Sequence, residues 1–237
     1  MHLDATIADW VALAIFTFCV IGYSRYSDNS QNPRMLNAKM RKVRRLWIRH
    51  MLAREDRVTD TLLTGHSANA ISFFASATIL VLVGLIGIVS RTRDLHALAS
   101  EIILVHPTSL ALFQFKLLGL ISIFIFGFYR FTWSLLQASY YFGLMGAALP
   151  VSTLSPTDLD HIADAIAIVL NNVFTNFHSG IRTYYYGLAW LGWIFQPMIF
   201  SAATLFITLV LIWRQLRSPA ALAIQHFADV MEKESRR

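Results

Sequence analysis

The stretch ANAISFFASATILVLVGLIGIVS, residues 68–90, carries no charged side chain over 23 positions. A helix on the surface of a soluble domain has a polar face, whereas this stretch would be apolar on every side. About 20 apolar residues, rising about 1.5 Å each, cross a hydrocarbon core of about 30 Å. The stretch therefore predicts a membrane-spanning helix.

Three further apolar segments predict an all-α integral membrane protein with four transmembrane helices. The expected spans are about residues 8–25, 68–90, 109–130 and 184–213. The last would measure about 45 Å as one straight helix, so it should tilt, kink or begin outside the lipid, and Pro197 is the predicted kink. With 56% hydrophobic and 14% charged residues, the 237-residue chain is expected to form a single membrane domain.

The basic residues predict the orientation of the spans. Ten of them lie between the first two spans: Arg25, Arg34, Lys39, Arg41, Lys42, Arg44, Arg45, Arg49, Arg54 and Arg57. Cytoplasmic loops are enriched in Lys and Arg, so residues 25–67 are expected in the cytoplasm and the N-terminus outside. We expect the membrane to be the bacterial inner membrane. Four spans would also put the C-terminus outside, whereas an alternative fifth span through residues 132–151 would return it to the cytoplasm.

The segments between the spans are predicted to be cytoplasmic amphipathic helices. Residues 37–64 place apolar side chains mostly three and four positions apart with arginines between them, which predicts a basic amphipathic helix. Residues 131–180 predict a helical loop, in which Ser155-Pro156-Thr157-Asp158 begins a new helix. Residues 219–233 predict a C-terminal amphipathic helix. A basic amphipathic helix lies on anionic lipid or packs under the helix bundle. Lipid is the expected partner of one set of side chains. That set is Arg41, Lys42, Arg44, Arg45 and Arg49.

Ionisable residues within the spans are the first candidates for a functional site. Lys116 and Arg130 are 14 residues apart, about four turns, and so share a helix face. With Gln137 they are predicted to line a polar interior, to which Arg182 and His178 would add. Such a face could hold or conduct an anion. The alternative is that the arginines anchor the membrane interface and that Lys116 snorkels or pairs with a neighbour.

Two sets of residues suggest a haem or metal site, and neither is favoured. His66 and His178 precede the second and fourth spans, so they would fall on one membrane face, where both could ligate a haem iron. A structural or hydrogen-bonding role is favoured for both histidines. The second set has a spacing that a metal could use but fits helix N-terminal acids better. It consists of Asp158, Asp160, His161 and Asp164. No cofactor is predicted.

The sequence lacks the motifs of the common enzyme classes. HExxH, GxSxG, a phosphate loop and a dinucleotide fingerprint do not occur. The single cysteine, Cys19, excludes an internal disulfide and a CxxCH haem attachment. We therefore expect no catalytic activity. The net charge of +6 is clustered and reports orientation, so a nucleic acid is not an expected partner.

Four longer motifs resemble a known family. They are WIRHMLAREDRVTDTLL, SFFASATILVLVGLIG, FKLLGLISIFIFGFYRFTWSLLQASYYFGLMGA and FTNFHSGIRTYYYGLAWLGWIFQP. In these motifs the chain resembles the bacterial and plant membrane proteins called domain of unknown function 599, over about residues 34–213. The resemblance implies a four-span architecture and lends no reaction, ligand or mechanism.

Three functional hypotheses follow. The favoured one is a non-catalytic structural or accessory subunit, whose partners are the bilayer and either further copies of this chain or other membrane subunits. The first alternative is an oligomeric anion channel or transporter that uses the cationic face. The second is a haem- or quinone-linked membrane anchor for electron transfer.

Overall fold

The computed structural model of the protein describes residues 4–28, 35–54, 56–101, 105–149 and 155–234. Within these ranges the chain forms eight α-helices and no β-strand, so the expected all-α fold is confirmed. The helices are α1 Ile7–Asp28, α2 Leu36–Leu52, α3 Val58–Val89, α4 Thr92–Ser100, α5 Leu110–Ala147, α6 Pro156–Phe195, α7 Pro197–Leu216 and α8 Pro219–Glu234. Arg34 of the predicted basic loop lies outside the described residues.

Four helical segments of the described chain are long and apolar enough to cross a membrane. They are Ile7–Ser27, Val58–Val89, Leu110–Ala147 and Pro197–Met231. The fold class is therefore the one that the sequence predicts. Several of these helices exceed what a span needs: α5 has 38 residues, which is about 57 Å at about 1.5 Å per residue.

The chain divides into two compact units, each assembled from three separate segments. The first unit comprises residues 1–26, 75–130 and 179–211. The second unit comprises residues 27–74, 131–178 and 212–237. The first unit holds most of the apolar helix residues, whereas the second contains the basic helix α2 and the C-terminal helix α8.

An aromatic cluster fills the first unit. The rings of Trp190 and Trp193 lie 5.0 Å apart at 82°, and Phe200 stacks on Trp193 at 5.1 Å. Phe16 of α1 packs edge-on against Trp190 with ring centroids 5.1 Å apart, and Phe115 of α5 meets Trp193 at 6.2 Å. The C-terminal part of α6 is thus the element on which α1, α5 and α7 pack.

The predicted fourth span, residues 184–213, is two helices and not one kinked helix. α6 ends one residue before Gln196, and α7 begins at Pro197. The hydroxyl groups of Tyr186 and Thr208 lie 3.3 Å apart across a sequence separation of 22 residues. A continuous helix would hold them about 33 Å apart. The chain therefore reverses at Gln196, because Pro197 cannot donate the hydrogen bond that would continue α6, and α7 packs antiparallel to it.

Two glycines let α5 approach α6 closely. A Cβ atom on Gly119 would lie 2.1 Å from Cζ2 of Trp190, and one on Gly127 would lie 2.3 Å from Oγ1 of Thr183. The Trp190 ring cannot swing away freely, because its Nε1 donates a hydrogen bond to the carbonyl oxygen of Lys116 at 2.7 Å. Small residues are what allow membrane helices such close contact.

The second unit has its own apolar core, formed where α2 packs against α5 and α6. Its buried members are Ile48, Met51, Leu52, Tyr141, Met145, Ala163, Ile166, Ala167 and Leu170. Because α2 is amphipathic, its apolar residues enter this core while its arginines lie beside it.

The basic helix predicted over residues 37–64 is divided in the structure. α2 ends at Leu52, and Val58 begins α3. The Asp56 carboxylate accepts a hydrogen bond from the backbone N–H of Val58 at 2.8 Å, which is how a side chain starts a new helix. The apolar spacing continued through this break, so periodicity alone could not reveal it.

Asp60 holds the start of α3 against α2. This fully buried carboxylate accepts hydrogen bonds from Nε1 of Trp47 at 2.6 Å and from Nη1 of Arg54 at 2.9 Å. The charge of Asp60 is therefore paired by Arg54, as a buried carboxylate requires.

The predicted helical loop, residues 131–180, is helical wherever it is described; residues 150–154 lie outside the described ranges. Its predicted helix start is confirmed, because Ser155 Oγ accepts a hydrogen bond from the Asp158 N–H at 3.2 Å. α6 then runs on to Phe195 without a break. The alternative of a separate fifth span through residues 132–151 is wrong, since α5 is one continuous helix from Leu110 to Ala147.

The C-terminal helix α8 packs against α2. Nζ of Lys39 lies 2.5 Å from Oδ1 of Asp229, and Oγ of Ser218 accepts a hydrogen bond from the N–H of Ala221 at 3.1 Å, as the predicted helix start requires. Helices in contact lie on the same side of a membrane. The side of the membrane on which the C-terminus lies stays a prediction.

The contact at Gly119 predicts that alanine substitutions at Gly119 and Gly84 have different effects on the free energy of unfolding. Gly119→Ala should lower the free energy of unfolding by about 1 to 3 kcal/mol, because the new methyl group overlaps the fixed Trp190 ring. Gly84→Ala on α3 meets nothing within 4 Å, and should be neutral or slightly stabilising because alanine favours a helix. Thermal unfolding in detergent measures both. Equal midpoints for the two variants would contradict the close α5–α6 contact.

Candidate functional site

Lys116 lies in the interior of the first unit, paired with an acid from another helix. Its side chain is 1% exposed, and its Nζ lies 3.9 Å from Oδ1 of Asp9, which is 5% exposed. The ammonium also lies 5.5 Å from the ring centroid of Trp193, a cation–π distance. Lys116 therefore pairs with a neighbouring side chain. The sequence offered this pairing, or snorkelling, as the alternative to a polar interior.

Hydrogen bonds from Trp193 and Thr6 hold the Asp9 carboxylate in addition to its contact with Lys116. Its Oδ1 accepts from Nε1 of Trp193 at 2.7 Å, and its Oδ2 accepts from the backbone N–H and the hydroxyl of Thr6 at 3.0 and 2.7 Å. The N–H of Asp9 donates in turn to Oγ1 of Thr6 at 3.3 Å, which makes a reciprocal capping box at the start of α1. The carboxylate is thus fixed in place at the first turn of the helix.

The sequence interpretation missed Asp9 as a site residue. It used Asp9 only to orient the N-terminus, although the Thr-x-x-Asp spacing of Thr6 and Asp9 is the signal of a capping box. A second signal was that Asp9 and Lys116 both lie within the first two turns of helices that the predicted topology starts at the same membrane face. A buried lysine needs a partner, and an acid at a matching depth is the candidate.

The chemistry of this trio is charge neutralisation. Asp9 comes from α1, Lys116 from α5 and Trp193 from α6, so one carboxylate and one ammonium connect three helices. The small space beside the trio is apolar in its other lining, with Ala5, Trp10, Leu112 and Phe115, and has a volume of about 10 Å³. That is about the size of one water molecule. The trio therefore links three helices of the first unit beside a space that holds about one water molecule.

Arg130 and Arg182 lie elsewhere in the first unit. Nε of Arg130 donates a hydrogen bond to Oγ of Ser179 at 3.0 Å, and its guanidinium lies 5.3 Å from the Phe126 ring. Arg182 is buried and lies 5.7 Å from the ring of Tyr23. Fourteen residues along α5 put Arg130 about 21 Å from Lys116. The structure thus brings Lys116 together with Asp9 and not with the predicted arginines.

Gln137, His178 and His66 belong to the second unit. Oε1 of Gln137 accepts a hydrogen bond from Nδ2 of Asn176 at 3.3 Å, which links α5 to α6. The His178 ring packs at 6.3 Å from the ring of Phe174 on its own helix. His66 is exposed on α3. The haem proposal for His66 and His178 stays a prediction.

The predicted lipid-facing arginines of α2 divide into two groups. Arg45 is ion-paired with Asp164, and Nε of Arg49 lies 3.3 Å from Oδ1 of Asp160, both on α6. These two acids come from the set that had a metal-like spacing, and here they pair with arginines. Lys42 is exposed on the same helix. Binding of this face to anionic lipid stays a prediction.

The second group, Arg41 and Arg44, turns inward. Arg44 is 8% exposed; its Nη1 donates to Oδ1 of Asn171 at 3.0 Å and its guanidinium lies 4.3 Å over the Phe174 ring. Nη2 of Arg41 is buried without a hydrogen-bond partner among the described residues. Both arginines line one small cavity together with Asn37 and other residues, most of them polar. No feature of the sequence separated these two arginines from their neighbours.

The pairing of Asp9 with Lys116 predicts that single and double variants will not be additive. Lys116→Leu should lower the free energy of unfolding by about 3 to 5 kcal/mol, because Asp9 would keep a buried charge without its partner. The double variant Asp9→Asn with Lys116→Leu should regain much of this loss. Thermal unfolding in detergent compares them, with exposed Arg93→Leu as the control. Additive losses would show that the two groups are not coupled.

A comparison with protein families identifies the chain. A family model described as "Protein of unknown function, DUF599" matches residues 11–220, which include all of helices α2 to α7. No curated protein and no solved structure matches the chain. The match covers most of the 237 residues and confirms the resemblance carried by the four motifs. The chain therefore belongs to the DUF599 family of membrane proteins.

Proposed function

We propose that this protein is a non-catalytic membrane subunit that acts as part of a homo-oligomer or of a larger membrane complex. The observation that carries the proposal is a groove along the outer face of α1, with a volume of about 580 Å³. Its described lining belongs to α1 alone: Trp10, Leu13, Ala14, Thr17, Phe18, Ile21, Gly22 and Arg25.

The groove suits a neighbouring helix. Phe18 is 79% and Trp10 54% exposed, and they stand on either side of Ala14, so large side chains border a small one. A Cβ atom on Gly22 would meet nothing within 4 Å, which leaves room for a partner backbone. Association of membrane helices depends on close packing at small residues, because lipid gives apolar side chains no hydrophobic reason to leave it.

The buried ionisable groups support a structural role. Asp9 pairs with Lys116 and so connects α1 to α5, whereas Asp60 pairs with Arg54 and accepts a hydrogen bond from Trp47, which connects α3 to α2. The alternative of an anion channel depends on Lys116, Arg130 and Arg182, whose described interactions are packing or pairing contacts. For that reason the accessory role is the one we favour.

The proposal includes an orientation in a bacterial inner membrane, with the N-terminus outside and both α2 and α8 in the cytoplasm. Residues 179–195 of α6 measure about 26 Å, close to the hydrocarbon thickness, and pack between α1, α5 and α7. We count them as a further pass beside the four apolar helices. The chain then crosses five times, and Arg25 and Arg217 both lie on the basic side, as charge bias favours.

Substitution in the groove tests the association. Gly22→Leu fills the open space on α1 and should reduce the mass of the native assembly in mild detergent by at least one subunit. Gly84→Leu is the matched control, because its Cβ also meets nothing within 4 Å but lies on α3. Native mass spectrometry measures both. A wild-type protein that is monomeric and without a bound partner would contradict the proposed function.

Labelling from outside the cell tests the orientation. In a Cys19→Ala background, Asp4→Cys should react with a membrane-impermeant maleimide in intact cells, because the N-terminus is expected outside. His226→Cys, exposed on α8, should react only after lysis. Reaction of His226→Cys in intact cells would overturn the five-pass path.

A further inference from the structure

The inward-facing arginines of α2 form a second polar site that is independent of the α1 groove. Arg41 and Arg44 are one turn apart, and both line a cavity in the second unit with Ser27, Asn37, Phe174, Thr175 and His178. Arg44 is 92% buried, since 8% of its surface is exposed. Its partners are the neutral Asn171 amide at 3.0 Å and the Phe174 ring at 4.3 Å.

Arg41 and Arg44 differ from three other arginines of the same segment in having no described carboxylate partner. Arg45 pairs with Asp164, Arg49 with Asp160 and Arg54 with Asp60. Nη2 of Arg41 is buried and has no hydrogen-bond partner among the described residues. Two arginines that line one cavity with no acid among the described side chains leave a local excess of positive charge there, which is costly in a buried place.

The electrostatics of Arg44 agree with this excess. Burial, followed by repulsion from Arg41, lowers the pKa of Arg44 from 12.5 to about 10. The group still carries its charge at neutral pH, because a pKa of about 10 lies well above 7. The charge is therefore retained in a place that disfavours it, and an anion in the cavity would relieve both causes.

The cavity limits the size of what can enter. Its free volume is about 10 Å³, enough for one water-sized atom, and one side is open to solvent. A single oxygen of a larger oxyanion fits, with the rest of the anion at the mouth. Guanidinium groups present several N–H donors in a plane, and so match the oxygens of a phosphate better than a spherical ion.

We propose that Arg41 and Arg44 bind one phosphate group, supplied either by free phosphate or by the head group of an anionic lipid. Nη2 of Arg41 is the donor that the anion satisfies. The Asn37 amide, which donates to Oγ of Ser27 at 3.1 Å, holds the opposite wall. The lipid source would place the inner face of α2, and not only its outer arginines, in contact with a head group.

Phosphate titration of the purified full-length protein in a non-ionic detergent tests the site. At constant ionic strength, inorganic phosphate should raise the thermal midpoint in a saturable way, because a ligand that binds only the folded state stabilises it. Arg41→Gln should weaken the apparent affinity at least about tenfold, since it removes a charge-assisted donor. Arg49→Gln is the matched control: it removes the same charge from the same helix but lies outside the cavity.

Nanodiscs separate the two sources. If the ligand is free phosphate, inorganic phosphate should raise the thermal midpoint of the protein in phosphatidylcholine nanodiscs. A lipid head group predicts instead a higher midpoint in discs that also contain phosphatidic acid, with phosphatidic acid retained in native mass spectra, and loss of both effects in Arg41→Gln. Arg41→Gln decides the test because Arg41 is partly exposed, whereas Arg44→Gln would also remove the Asn171 contact. No stabilisation by either source, or equal effects in Arg41→Gln and Arg49→Gln, would overturn the proposal.

Discussion

The pairing of Asp9 with Lys116 is the interaction on which the first unit depends. A carboxylate and an ammonium are tolerated among apolar helices only when each neutralises the other and their remaining hydrogen-bonding positions are filled. Trp193 and Thr6 fill those positions on Asp9, and the ring of Trp193 covers Lys116. The positions of α1, α5 and α6 are thereby linked, and the aromatic cluster around Trp190 packs onto this fixed arrangement.

In the second unit, basic and acidic side chains pair mainly along the contacts of α2. Two arginines of α2, Arg45 and Arg49, pair with Asp164 and Asp160 along the contact of α2 with α6, whereas Arg44 of the same helix meets the neutral Asn171 amide. Exposed pairs of this kind contribute little to stability, typically about 1 kcal/mol or less. They set the position of α2, while the buried core of Ile48, Met51 and Leu52 supplies the stability.

The sequence predicted the apolar helices because their signal is local. The composition of residues 68–90 alone predicts a span, and Ser155-Pro156-Thr157-Asp158 predicts a helix start. The reversal at Gln196 was not predictable in the same way. Pro197 is compatible with a kink or with a new helix, and the contact between Tyr186 and Thr208 decides between them. The inward turn of Arg44 likewise depends on Asn171 and Phe174, residues more than a hundred positions away in the chain.

The contact of Lys39 with Asp229 has a consequence for biosynthesis. The two residues are 190 positions apart, so the ribosome adds residues for about 10 to 40 s after Lys39 before Asp229 exists. During that interval α2 lacks α8, and for most of it α2 also lacks Asn171 and the acids of α6. A basic amphipathic helix without protein partners lies on an anionic membrane surface. The nascent chain is thus expected to hold α2 on the bilayer until its own later helices displace the lipid, so the second unit is completed only once α8 has been synthesised.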